Sequence, residues 1–211
     1  MIKSAKARKS DTREIIVDLH PNRPAYRGFK TPKGNISLEA DPTFSELEAA
    51  GGKVVKHAED HTVLDDMFFV SGEIPRNAAY EVGIPNGIKL NDKGAWEADP
   101  LIKDERFVMC NLKGKGLVVF TGCSHAGVVN VSQRAVEIGG GVPLYAVAGG
   151  FHLSDADSEK LRSTVADLKK LHPTVLMPGH CSGWRLAAEA EKVMPGSVVP
   201  IYGGQMYRLS A

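Results

Sequence analysis

Three of the seven histidines stand at the same point of a repeated pattern, just past an apolar run and close to glycine. Leu117-Val-Val-Phe-Thr-Gly-Cys-Ser-His125 is the first such stretch, Leu144-Tyr-Ala-Val-Ala-Gly-Gly-Phe-His152 the second and Thr174-Val-Leu-Met-Pro-Gly-His180 the third. If each run is a strand of one α/β sheet, neighbouring strands end at the same edge, and that edge is where open sheets hold ligands. Imidazoles brought together there suit Zn²⁺ above all, with Mn²⁺ or Fe as alternatives. A lone histidine in such a turn is more often a cap or a partner of a backbone carbonyl. Three in equivalent positions favour a metal site made of His125, His180 and His152.

The neighbours of these histidines fit the same chemistry. Gly122, Gly149, Gly150 and Gly179 let the backbone turn sharply and approach a ligand, which makes Gly150 a candidate substrate contact. Ser124 and Ser182 either cap the helices that follow or donate to an anionic group, and the free N–H groups of the helix after Ser124 offer a place for phosphate. Cys123 and Cys181 adjoin two of the histidines and are either soft ligands or small thiols packed beside tight turns.

The elements that must carry these residues alternate strand and helix from Phe107 onward. A hairpin of Phe107–Leu112 and Leu117–Phe120 comes first, then a helix over Gly127–Ile138 stopped by Gly139-Gly140-Gly141. Strand Leu144–Ala148, helix Asp155–Leu171, strand Thr174–Met177 and helix Gly183–Val193 follow, an order that places helices on one face of a sheet. Ahead of them, turn signals such as Thr31-Pro-Lys-Gly34 and Asn91-Asp-Lys-Gly94 separate short extended candidates at Glu14–Leu19, Lys53–Lys56 and Met67–Val70. Thr43–Ala50 reads as a short helix capped by Asp41 or Thr43. The expected organisation is one domain over 1–211, with a flexible basic start at 1–13, a strand- and hairpin-rich part at 14–106 and a βα-alternating part at 107–211.

Composition narrows the partners. With 26 Lys and Arg against 25 Asp and Glu the net charge is +1, so neither nucleic acid nor an anionic membrane is an expected partner, while a local positive site for a small anion stays compatible with it. Three widely spaced cysteines form neither a disulfide scaffold nor a Cys-x-x-Cys zinc motif, and no apolar run is long enough to span a bilayer. A cytoplasmic location is the expectation from these features.

Thr121-Gly-Cys-Ser-His-Ala-Gly-Val-Val-Asn130, Gly149-Gly-Phe-His-Leu153 and Pro178-Gly-His-Cys-Ser-Gly183 resemble the C-terminal signatures of metallo-β-lactamase-fold proteins. The similar branch is the one named for dihydropterin-methyl ribofuranosylaminobenzene phosphate synthase. Ser71-Gly-Glu-Ile-Pro-Arg76 and Glu81 resemble a further segment of it. The resemblance implies an αββα sandwich and a metal-dependent hydrolase acting on a phosphorylated or other anionic small molecule. It also implies that His125 and His180 ligate metal, while His152 ligates metal or contacts the anion. One family feature is missing: the His-x-His-x-Asp-His loop that supplies both metals of a binuclear site does not occur in this sequence. His57 and His61 stand four apart in a different order and do not replace it, and His20 precedes a proline in a turn. The expectation is therefore a partial, truncated version of the fold with weakened activity. The alternatives are a non-catalytic metal- or ligand-binding paralogue, or a fragment of a longer enzyme; exposed sheet surface in a partial fold would favour self-association into a homo-oligomer.

Overall fold

The computed structural model describes residues 14–210, so the basic start at 1–13 lies outside the described residues. Contacts divide the chain into two compact units, one reaching to Glu59 and including Ile84–Pro100, the other formed by Asp60–Gly83 and residues from Leu101 onward.

In the first unit, strand β1 (Ile15–Leu19) pairs in parallel with β4 (Gly52–Lys56), and β2 (Arg27–Thr31), β3 (Gly34–Ser37), β7 (Gly87–Leu90) and β8 (Trp96–Ala98) form an antiparallel sheet in the order β3-β2-β7-β8. Helix α1 (Phe44–Ala49) starts where the sequence places it, and of the two candidate caps Thr43 is the one used. Its hydroxyl accepts from the Glu46 amide at 3.1 Å while the Glu46 carboxylate accepts from the Thr43 amide at 2.8 Å, a reciprocal capping box.

The second unit carries the histidine motifs. Its sheet runs β12-β11-β10-β9-β6-β5, built from β5 (His61–Val63), β6 (Phe68–Val70), β9 (Val108–Leu112), β10 (Gly116–Thr121), β11 (Leu144–Gly150) and β12 (Val175–Gly179). Strands β10, β11 and β12 are parallel, and β9 joins them antiparallel through the tight turn at Lys113–Lys115. Three helices, α2 (Val128–Ile138), α3 (Ser158–Lys170) and α4 (Trp184–Val193), follow the three parallel strands in turn.

Alternation along β10 explains the layering. Leu117 and Val119 join Val147 and Leu176 in a core with Val128, Val131, Ala135, Leu161, Val165, Leu168, Leu186 and Ala190, so the helices cover one face of the sheet. Val118 and Phe120 point the other way, toward a surface shared with Cys110, Met177 and the C-terminal residues Tyr207 and Leu209. Helix α3 begins at Ser158, three residues later than its periodicity suggests, because Asp157 is extended and takes the Lys160 amide on its side chain at 2.8 Å. Strands β5 and β6 lie within the 14–106 stretch yet add to the second unit's sheet, through Phe69 opposite Met109.

Candidate functional site

The three strand-end loops are stitched together by backbone bonds. Gly150 N–H donates to the Gly122 carbonyl at 2.7 Å, and Leu153 and Ser154 N–H both donate to the Cys181 carbonyl, at 3.0 and 3.1 Å. Glycine is required at the crossing point, because a Cβ on Gly150 would sit 2.6 Å from the Gly122 oxygen and 2.9 Å from the Cys181 sulfur. Ser124, His152 and His180 all adopt left-handed backbone, with φ of 57°, 48° and 50°. Such residues cost about 1–2 kcal/mol and persist where surrounding bonds over-determine them. His172, with φ of 51° at the end of α3, shows that this conformation alone does not mark a site.

His125 is fixed from behind. Its Nδ1 lies 2.9 Å from Glu105 Oε1, and the same carboxylate accepts from the His125 and Ala126 backbone amides at 2.8 and 2.6 Å. An Nδ1–H held by a carboxylate leaves Nε2 as the nitrogen with a free lone pair, the arrangement that orients metal-binding histidines. Burial alone would raise the Glu105 pKa, but the hydrogen bonds and charge of His125 with the amide of Ala126 outweigh it and hold the carboxyl below its ordinary range. The His152 ring stands edge-on to that of His125, centroids 4.8 Å apart and planes at 66°. Burial, followed by the neighbouring His125, lowers the His152 pKa.

His180 has different company. Its Nε2 lies 3.0 Å from Cys123 Sγ, and Cys181 Sγ reaches the Cys123 carbonyl at 3.5 Å. The side chains of Cys123, His180 and Cys181 place one donor atom each within 4.8 Å of one another. Burial, with Cys181 beside it, pushes the Cys123 thiol up to about 12. Thr121, Cys123, Gly150, His180 and Tyr202 line a cleft of about 440 Å³ at this end of the sheet. The loops of all three histidines thus meet, with His125 against His152 and His180 against sulfur.

The structure also shows what the serines and the helix N-terminus do. The Ser124 hydroxyl is buried and bonded to Thr121 Oγ1 at 2.8 Å. The Ser182 hydroxyl is buried too, donating to the Gly179 carbonyl at 2.7 Å while accepting from the Phe151 amide at 3.0 Å. At the start of α2 the amides of Val129 and Asn130 donate to Glu81 at 2.9 and 2.8 Å, so the protein's own carboxylate sits where the sequence suggested phosphate. Gly127 makes room for it, since a Cβ there would fall 2.0 Å from that carboxylate.

Glu81 and Arg76 belong to a stretch legible in the sequence only as a resemblance, and both turn out to brace the His125 loop, with the Arg76 guanidinium donating to the His125 carbonyl at 3.0 Å. Glu105 carries no mark in the sequence, because nothing in Lys103-Asp-Glu-Arg106 distinguishes it from its acidic neighbour Asp104. Of the remaining histidines, His57 Nδ1 pairs with Asp18 at 2.9 Å after β4, His61 opens β5, and His20 accepts the Asn22 amide in its turn.

No family model matches the chain. It is 30% identical over 180 residues to the 7,8-dihydropterin-6-methyl-4-(β-D-ribofuranosyl)-aminobenzene-5′-phosphate synthase of Methanocaldococcus jannaschii, an alignment covering 84% of this chain and 60% of that protein. An uncharacterized protein of the same organism is 29% identical over 158 residues, 72% of this chain and 54% of its own length. The chain therefore spans a little over half the length of these relatives. Among solved structures, a metal-dependent hydrolase of the β-lactamase superfamily matches with a TM-score of 0.78 at 22% identity, over 94% of this chain and 72% of that one.

Proposed function

We propose that this metallo-β-lactamase-fold protein, a sequence relative of the dihydropterin-methyl ribofuranosylaminobenzene phosphate synthase, is a metal-dependent hydrolase-like protein for a small anionic, phosphorylated substrate. The observation that carries the reading is the Glu105–His125–His152 arrangement, in which a largely buried carboxylate fixes one imidazole by Nδ1 and the ring centroid of a second imidazole stands 4.8 Å from that of the first. These donors fit a divalent ion of the Zn²⁺, Mn²⁺ or Fe class, and His180 on the adjoining loop is the third candidate ligand. When bound, such an ion supplies a Lewis acid and lowers the pKa of water toward neutrality.

The chain's own part is positional. Glu105 sets the His125 tautomer and aims Nε2, Arg76 and Glu81 hold the loop that carries it, and Gly150 lets the second and third loops close on one another. His152, whose pKa burial lowers, stands either to ligate or to donate a hydrogen bond to an anionic group.

A non-catalytic metal- or ligand-binding role is the second reading. It is favoured by the internal commitment of Ser124, Ser182 and the α2 N-terminus, which leaves fewer donors for an anionic substrate than the sequence suggests. Metal analysis of protein purified without chelator, together with turnover of phosphomonoesters, phosphodiesters and lactams, separates the readings. The hydrolase reading expects bound divalent metal and a phosphorylated substrate whose turnover disappears in His125→Ala. Metal without turnover supports the binding role, and protein that neither carries nor takes up metal overturns the hydrolase reading and the metal-binding form of the second.

A further inference from the structure

We propose that Cys123, His180 and Cys181 form a thiolate–imidazole site for a thiophilic metal ion, distinct in donor type from the imidazole pair His125 and His152. The inference goes beyond the function proposed above, which calls only for imidazole donors, and rests on it only in sharing His180. Two observations carry it. The donor atoms of the three side chains lie within 4.8 Å of one another, and the pair already in contact is His180 Nε2 with Cys123 Sγ at 3.0 Å. In a tetrahedral zinc site, Zn–S of about 2.3 Å and Zn–N of about 2.0–2.1 Å put donor atoms about 3.5–3.8 Å apart. The three side chains need shifts of only about an ångström to enclose an ion at those distances.

The second observation is how the two cysteines come together. They are 58 residues apart in sequence, on loops after β10 and β12, yet the Cys181 sulfur reaches the Cys123 carbonyl at 3.5 Å. Between these loops runs the β11 loop, whose Gly150 leaves the space that the Cys181 sulfur occupies. His180 and Cys123 line the strand-end cleft, so an ion held by these two and Cys181 would keep a fourth position accessible from solvent. Binding couples loss of the thiol protons to the metal, because only the thiolates ligate.

Cobalt(II) substitution reads the donor type directly. Full-length reduced protein titrated with Co²⁺ is expected to develop an intense sulfur-to-cobalt charge-transfer band in the near ultraviolet, saturating at about one ion per chain. Cys123→Ser and Cys181→Ser should each remove roughly half of that intensity, while Cys110→Ser and His125→Ala leave the band in place. Since a loop variant can fail to fold, the unmodified protein supplies an independent measurement: Zn²⁺ should protect two of the three thiols from a disulfide reagent. Cobalt that binds with no sulfur band, or zinc that protects no thiol, overturns the thiolate site and leaves the metal reading on imidazoles intact. Absence of cobalt binding overturns both.

Discussion

The His125 loop and the His180 loop follow β10 and β12 of one sheet, on either side of β11, yet they hold their histidines by opposite means. The ring of His125 is locked by Glu105, a carboxylate whose side chain is 10% exposed and which also satisfies two backbone amides of the same loop. His180 is exposed and touches sulfur, in a turn whose backbone is tied down by Ser182 rather than by any partner of the imidazole. In the first loop, then, the group that orients the histidine also holds the fold together. In the second, the histidine and the fold are separable, and mutations should tell the two apart.

The largest expected effect is Glu105→Ala. It strands the His125 and Ala126 amides and the His125 Nδ1–H, and at about 1–3 kcal/mol for each buried group left unsatisfied the loss should reach about 3–4 kcal/mol, read from urea unfolding. Loss of less than about 1 kcal/mol would mean that water replaces the carboxylate and that the loop is not locked. Asn130→Ala should follow at about 2 kcal/mol, since its Oδ1 accepts the Asn77 and Ala78 amides and its Nδ2 donates to the Ala126 carbonyl, all behind the same loop.

Acid and base sharpen the comparison further, because the two carboxylates at the His125 loop titrate in opposite senses. Glu105 is held below the ordinary 4.5, so its contribution to stability is present above that value and lost as pH falls through the lower folded value. Burial raises Glu81 to about 7 against the pull of its two amide bonds, so its contribution is present below 4.5 and lost as pH rises through about 7. Melting curves should therefore fall at both ends for the parent protein. Glu105→Gln should flatten the acid limb alone, and an unchanged acid limb in that variant would remove Glu105 as its source.

How much of this was readable in advance depends on the range of the interaction. Leu117–Phe120 and Leu144–Ala148 were legible as strands because an apolar run bounded by glycine is a local signal, and helix α2 because Val128, Val131, Ala135 and Ile138 keep a helical period. The meeting of the three histidine loops followed from the parallel order of those strands. Glu105 and Glu81 were not legible as partners, since what ties them to the loop is contact with amides 20 and 48 residues away. The allocation of His61–Val63 and Phe68–Val70 to the second unit's sheet was hidden for the same reason, as the pairing of Phe69 with Met109 leaves no mark on either segment alone. The cysteines were legible as neighbours of two histidines but not as neighbours of each other.

The smallest expected effect on the metal-free protein is that of His180→Ala, and it is the one that breaks the comparison most cleanly. The ring is exposed and its polar partner among the described residues is a sulfur, so truncation should cost less than about 0.5 kcal/mol, as for surface substitutions generally. His125→Ala should cost more, because it leaves the buried Glu105 carboxylate without its imidazole. With metal present the order changes. An ion bound only by the folded chain stabilises it by about 2.7 kcal/mol at a hundredfold excess over the dissociation constant, and His180→Ala should remove most of that increment while His172→Ala, at the end of α3, leaves it whole. The increment should shrink below about pH 6.5, where free imidazole takes up a proton. A His180→Ala protein that melts well below the parent without metal would show that the second loop, like the first, uses its histidine to hold the fold; one that keeps the full metal increment would place the ion away from this loop.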